Sequence, residues 1–599
     1  MKQQNIRTSV LTAERVIHKR YFIFKIWNFR LRSQAEFEET VDAVVETGCN
    51  AIKIHVPWTK VEVTRGAYDL APFVDMADYV IRKKGLPVAF CIDVSRDIDD
   101  GLFPPSEFML KRDGTAALSG GSGKWAQISF SSPDTVAHAV KFYRTAVRHF
   151  HERFGENVLF YLPTFSQFAE TEYYPAVELD YSPHALKAFH SFLKGKYGEI
   201  GALNYVLNSA YASFDEVVPP SGRDMDNLGI LWYQFRHKQI KAIVDALADA
   251  QHAVAPGSKF CVQFGSVFDS PICLRGNAAF ADLCEKVDVI FVDDAPVYNH
   301  LWSMDYIRHN LPPHVEYGND IDGPLAPRCS PDAYYRQCVE SYEKGATYIT
   351  LSNWTVGEAY RHYEPVWKRV IAEWLHADAP KTVLPKLKNK DLNISLSEMI
   401  QCKSYLCFYY YVKEYERLTA DGETDVRIHL IDDLTTQKVD KPKKVYFFWD
   451  EYGGPDICGP WRYVSVEGDR CSPMMYDETT VTWKHEHGLP LVRREGAIPA
   501  DASDAGVEFR SPLTGKVVYT FTVRAREEEE DFCCLYIRHN GQNVFPCEEE
   551  AYRLDVGRVV RSHLILDVKK GDTILLGVKK HQKAIKEHVH FDLRVETLD

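Results

Sequence analysis

Along the first 380 residues, short apolar runs alternate with longer stretches in which apolar residues recur every three to four positions. The short runs are rich in β-branched and aromatic residues and read as strands at 21–27, 50–56, 86–93, 157–165, 258–265, 287–293, 313–318 and 346–352. The amphipathic stretches between them predict helices, for example at 34–47, 71–84, 133–154, 183–196, 226–253, 332–344 and 364–376. Ser132-Pro133-Asp134 and Ser182-Pro183-His184 read as helix starts, with a capping serine and proline at the first helical position. Eight strand–helix repeats predict a parallel sheet, and eight is the number that closes a (β/α)8 TIM barrel. The alternative is an open doubly wound sheet, but no glycine-rich dinucleotide fingerprint follows the first strand.

Beyond residue 376 the pattern changes. Residues 377–392 carry Pro and Lys and read as a linker. The period then becomes two, with strands expected at 403–413, 425–431, 444–449, 516–524, 532–538, 562–568, 573–578 and 588–596. Asp421-Gly422, Asn540-Gly541 and Lys570-Gly571-Asp572 mark turns between them. The expected organisation is a barrel over 1–380, a linker with a small β-rich region over 381–450, and an antiparallel, jelly-roll-like β-sandwich over 451–599. The acidic run 527–531 reads as a solvated turn.

Charge narrows the partners. Lys and Arg number 71 against 84 Asp and Glu, a net −13, which disfavours nucleic acid and anionic membranes. No stretch approaches the roughly 18 apolar residues of a membrane span. The N-terminus lacks the apolar core of a secretory signal, so the chain reads as cytoplasmic as written, or periplasmic or secreted if a leader has been removed. The 14 cysteines have no zinc spacing and many sit in apolar runs, which predicts reduced, buried thiols and no metal.

In a βα barrel, reactive groups stand at the C-terminal ends of strands. Glu170 and Glu172 follow the fourth expected strand, and Glu316 and Asp320 belong to the seventh. A carboxyl from each could flank a glycosidic bond, one protonating the leaving oxygen and the other attacking the anomeric carbon or activating water. If the seventh strand is short, Glu316 ends it; if it runs longer, Asp320 takes that place. Alternation would turn Glu172 away from Glu170 if the segment stays extended. Lys25, Asp93, Arg96, Asp294 and Tyr298 are further candidates at the mouth, where Trp58 and Trp354 offer faces for sugar stacking. His55 reads as an interior histidine. No cofactor is required.

Residues 50–88 resemble the second and third βα units of clan A retaining glycoside hydrolases, nearest to family 42, through Trp58, Glu62, Gly66, Tyr68 and Asp69. Residues 189–220 resemble that family's insertion after strand four, through Leu193, Tyr197, Gly198, Leu203, Asn204 and Phe214 to Pro220. The resemblance covers residues 15–375. It implies a retaining β-glycosidase acting on terminal β-galactoside-like sugars, with Glu170 as acid/base (or Glu172), Glu316 as nucleophile (or Asp320), and Trp354 as aromatic platform. It also implies a homo-oligomer, commonly a trimer. Two departures stand out. Ala169 replaces the asparagine that normally precedes the acid, which leaves Gln167 or Asn353 to bond the sugar's 2-hydroxyl. Lys53 replaces the arginine that steadies the nucleophile, keeping charge but losing the bidentate fork. The rival readings are a β-mannosidase or an endo-acting polysaccharide hydrolase on the same barrel, and a barrel that binds sugar without cleaving it.

Overall fold

The computed structural model describes residues 19–26, 33–99, 101–119, 123–167, 169–221, 226–265, 275–277, 280–294, 300–321, 330–351, 358–375, 388–401, 406–420, 424–436, 444–455, 459–525, 532–547, 549–555, 558–580 and 589–598. They form two compact units, one of residues 1–205, 209–401 and 418–436, the other of 206–208, 402–417 and 437–599.

In the first unit eight parallel strands are β1 (Tyr21–Ile26), β2 (Ala51–Val56), β3 (Val88–Asp93), β4 (Val158–Thr164), β5 (Cys261–Phe264), β6 (Val289–Asp294), β7 (Glu316–Ile321) and β8 (Tyr348–Leu351). Their order is β4-β3-β2-β1-β8-β7-β6-β5. The Tyr161 N–H donates to the Lys259 carbonyl (3.0 Å), and Tyr161 bridges Phe260 in parallel, which closes the sheet into the expected barrel. β2 and β3 are buried at every position, as strands between a filled interior and a helical layer must be. Both serine caps form: Ser132 Oγ accepts from Thr135 N–H at the start of the helix Pro133–Phe154, and Ser182 Oγ accepts from Ala185 N–H at the start of Pro183–Tyr197.

β7 starts three residues later than expected. Val315 N–H donates to Pro312 O (3.1 Å), so the Pro312-Pro313 pair closes a turn before the strand rather than opening it. Gly318 is not a strand end. A Cβ there would stand 2.6 Å from the Phe291 ring and 2.6 Å from the Tyr348 carbonyl, so glycine lets β7 approach its neighbours. The helix His300–Asn310 follows β6 as the eightfold repeat expects, and its buried residues, Trp302, Met304, Tyr306 and Ile307, wrap around it without a clean stripe.

Two expectations after the barrel are overturned. Lys388–Ser395, read partly as linker, is a strand paired in parallel with Thr424–Ile431. Leu406–Thr419, read as a strand, is a helix in which Tyr411, Val412 and Tyr415 are buried. Spacings of i and i+4 decided over the β-preference of its aromatics.

In the second unit two antiparallel sheets enclose one core, drawn from Phe521, Phe591 and Leu593 of one sheet and Phe509, Leu535 and Ile537 of the other. This is the expected sandwich. No helix among the described residues is long and apolar enough to cross a membrane.

Candidate active site

The lower barrel interior is apolar, filled by Ile23, Ala51, Ala89, Cys91, Phe160, Leu162, Cys261, Val289, Phe291 and Tyr348. Towards the C-terminal ends it becomes charged. Lys53 Nζ donates to Asp320 Oδ2 (3.1 Å) and to Thr350 Oγ1 (3.2 Å), and Lys25 Nζ lies 3.7 Å from the same carboxylate oxygen. All three ionic groups are buried, so the cations repay the desolvation of the carboxylate. Beside them His55 Nε2 bonds Asp93 Oδ1 (2.9 Å), which also accepts from Thr164 Oγ1 (2.5 Å). Burial lowers the His55 pKa against the pull of Asp93, as expected of an interior histidine. Burial raises that of Asp93, but His55 and Arg96 outweigh it and hold the carboxyl below its ordinary range.

Past β4 the chain folds back on itself. Ala169 adopts the left-handed region (φ 72°), and Ser166 N–H donates to Glu170 O (3.0 Å). The next residues lie against β5: Thr171 N–H donates to Gln263 O (2.6 Å), and Gln127 Nε2 donates to Glu172 O (2.8 Å). Arg275 Nη1 meets Glu170 Oε2 (3.0 Å) and Glu172 Oε2 (2.5 Å), with all three side chains almost fully buried. Room for this guanidinium depends on Gly265, where a Cβ would come 1.5 Å from Nη1 and 2.5 Å from Glu170 Oε2. The two glutamates therefore converge. The expected alternation fails because the segment is coiled: Glu172 N–H donates to Glu170 O (3.1 Å).

Glu316 does not join them. It opens β7 at the N-terminal end of the barrel, where its carboxylate accepts from Lys259 Nζ (2.8 and 2.9 Å) and Tyr348 Oη (2.7 Å). The longer register puts Asp320 near the C-terminal end instead. Trp58 is also displaced from its expected role. It is fully buried, stacks on Phe142 (5.1 Å) and donates to Glu62 Oε2 (2.6 Å), so it offers no face to a ligand. Gln167 lies in the turn between β4 and Glu170, and Asp294 ends β6 opposite Ile321. Tyr298, Asn353 and Trp354 lie outside the described residues. Arg275 and Gly265 were missed, since Arg275 sits 105 and 103 residues from its partners with no motif to link them.

Residues 26–301 match the family model described as beta-galactosidase, glycoside hydrolase family 42. The chain is a glycoside hydrolase that resembles family 42 over those residues. Among solved structures it is similar to the beta-galactosidase of Bacillus circulans sp. alkalophilus (10% identity, 93% of this chain and 99% of that one, TM-score 0.55). It is likewise similar to those of the psychrophilic Marinomonas ef1 (13%, 94% and 100%, 0.53) and the haloarchaeon Halorubrum lacusprofundi (15%, 70% and 68%, 0.53). At these identities the likeness is one of fold.

Elsewhere in the hydrolase, Asp305, His309 and Asp425 are grouped closely enough to hold a metal ion. Their chemistry fits a different role. Asp305 already accepts from Arg308 (2.8 Å) and Lys344 (2.6 Å). His309 Nδ1 accepts from Ile428 N–H (3.3 Å), so a neutral ring carries its proton on Nε2, the nitrogen a metal would need. The group ties the helix His300–Asn310 to the strand Thr424–Ile431.

Proposed function

We propose that the chain hydrolyses terminal β-linked sugars of β-galactoside type, with Glu170 as acid/base and Asp320 in place of Glu316 as the opposing carboxylate. The observation that carries this is the position of Asp320 near the C-terminal end of β7, gripped by Lys53 where the clan's arginine would stand. Two lysines keep Asp320 ionised, as a nucleophile must be. Glu170, Glu172 and Arg275 would together carry −1 if both carboxyls were ionised. Two carboxylates sharing one buried cation favour retention of one proton, which is what a general acid needs.

In the first step Glu170 gives its proton to the glycosidic oxygen as Asp320 bonds to the anomeric carbon. In the second, Glu170 takes a proton from water, which displaces Asp320 and releases the sugar with its configuration retained. Binding without hydrolysis is the second reading. It is favoured by the two cations on one carboxylate, which temper its nucleophilicity.

The test is a panel of p-nitrophenyl glycosides with the wild type, Glu170→Ala and Asp320→Ala, and proton NMR of the first-formed anomer. Activity on the β-galactoside that falls by orders of magnitude in both variants, with a β-anomer product, supports the proposal. An α-anomer would mean single displacement. Silence on every sugar, with sugar binding intact, would favour the second reading.

A further inference from the structure

Gln263 is fully buried near the C-terminal end of β5, and among the described residues neither its Nε2 nor its Oε1 has a hydrogen-bond partner. Its backbone is engaged twice with Thr171: Thr171 N–H donates to Gln263 O (2.6 Å), and Gln263 N–H donates to Thr171 Oγ1 (3.3 Å). The segment is held while the amide is left open. Two unpaired buried atoms on one side chain cost free energy that a folded chain seldom leaves standing without a use. Gln127, which braces the same loop, shows the contrast. It is equally buried, but its Nε2 donates to the carbonyls of Phe165 (2.9 Å) and Glu172 (2.8 Å), and its Oε1 accepts from Tyr174 N–H (2.6 Å).

The strand fixes where that amide faces. Side chains alternate along β5, so Gln263 shares a face with Cys261, which lines the apolar interior, and with Gly265, which faces Arg275 and Glu170. Across the sheet it is in register with Phe291, another interior residue, whose ring centre lies 5.1 Å from Lys53 Nζ. Lys53 in turn holds Asp320. Gln263 therefore stands one pleat beneath the Glu170–Arg275 contact and beside the ring that carries the Lys53–Asp320 pair. Asn319 also has a buried, unpaired amide, but as the neighbour of Asp320 it lies on the helix side of β7. A glutamine amide has two N–H donors and a carbonyl acceptor, and it is neutral. That matches sugar hydroxyls, each of which both donates and accepts, and it adds no net charge between the two carboxylates.

We infer that Gln263 binds the sugar ring that lies between Glu170 and Asp320, its Oε1 accepting from and its Nε2 donating to one hydroxyl or two adjacent ones. The inference rests on the reading of the barrel mouth as a sugar site. Its test compares the wild type with Gln263→Met on p-nitrophenyl β-galactoside and on the 2-, 3-, 4- and 6-deoxy forms of that substrate. Gln263→Met is expected to lower kcat/KM about 30-fold on the parent sugar, with most of that loss absent on the deoxy sugar that lacks a bound hydroxyl. Equal losses on all five sugars, or no loss on any, would overturn the inference. The Tm of the free protein is a second readout. Removing an unpaired amide should hold or raise it, and a fall beyond about 4 °C would mean that the amide is already paired, which also overturns the inference. Gln263→Leu takes the same comparison if the methionine variant does not fold. If the wild type hydrolyses none of these sugars, the catalytic reading fails by itself. Calorimetric binding of galactose and its four deoxy forms to the wild type and Gln263→Met then decides on Gln263 by the same pattern, and an absence of binding overturns both.

Discussion

Lys53 Nζ stands 3.1 Å from Asp320 Oδ2, on strands that are not neighbours in the sheet, with neither side chain exposed. The pair makes β7 legible: the carboxylate that reaches the interior near its C-terminal end is Asp320, and Glu316 belongs to the other rim. Asp320→Asn should therefore remove glycosidase activity by several orders of magnitude. Glu316→Gln should keep it, at a stability cost of at most about 1 kcal/mol for a half-exposed ion pair. Steady-state kinetics and thermal melts on both variants check this. Lys53→Met should cost activity and, with Lys25 still beside Asp320, less than the roughly 3–5 kcal/mol of a fully orphaned buried charge.

Gly265 is expected to tolerate no side chain. Its φ is unremarkable, so the constraint is space: a Cβ would overlap the Arg275 guanidinium. Gly265→Ala should push Arg275 off both glutamates, costing about 1–3 kcal/mol of stability and much of kcat. Arg275→Leu should match that kinetic loss. Unchanged kcat in either would detach Arg275 from the acid.

Trp58 should behave as a core residue. Trp58→Ala should cost about 3–5 kcal/mol in a denaturant melt, whereas Trp58→Phe keeps the stacking and leaves Glu62 with fewer donors, for about 1–3 kcal/mol. KM for the sugar should be unchanged in whatever protein remains folded. A raised KM at full stability would return Trp58 to the binding site.

One buried histidine, His55, and one half-buried, His309, should make the first unit acid-labile. Burial lowers the pKa of His55, and burial with Arg308 nearby pushes that of His309 down to about 4. Unfolded, both titrate near about 6.5. Their neutral forms are what the fold accommodates, so stability is full above about pH 6.5 and is lost as pH falls, for His309 down to about 4. That interval bounds the His309 contribution at about 3 kcal/mol. Asp93, held below its ordinary range, adds to the loss below about pH 4. Thermal midpoints measured from pH 8 to pH 4.5 should fall less steeply in His309→Gln than in the wild type.

The sequence by itself determined the repeat. Eight apolar runs between amphipathic helices, and two Ser-Pro starts that cap as expected, follow from local rules of burial and of satisfying terminal N–H groups. It also determined the loop that bears Glu170 and the strand that bears both Glu316 and Asp320. Tertiary structure decided the rest. Gly318 looked like a turn because nothing local reveals a neighbouring strand that needs its missing Cβ. The start of β7, which puts Glu316 at one rim and Asp320 near the other, was set by its pairing with β6, which begins at Val289↔Glu316. Leu406–Thr419 became a helix, although its aromatics favour a strand. Arg275 met two glutamates more than a hundred residues away, and Trp58 turned inward to Phe142 and Glu62. Ion pairs and close packing are set by distance in space, and sequence spacing carries that distance only within a few residues.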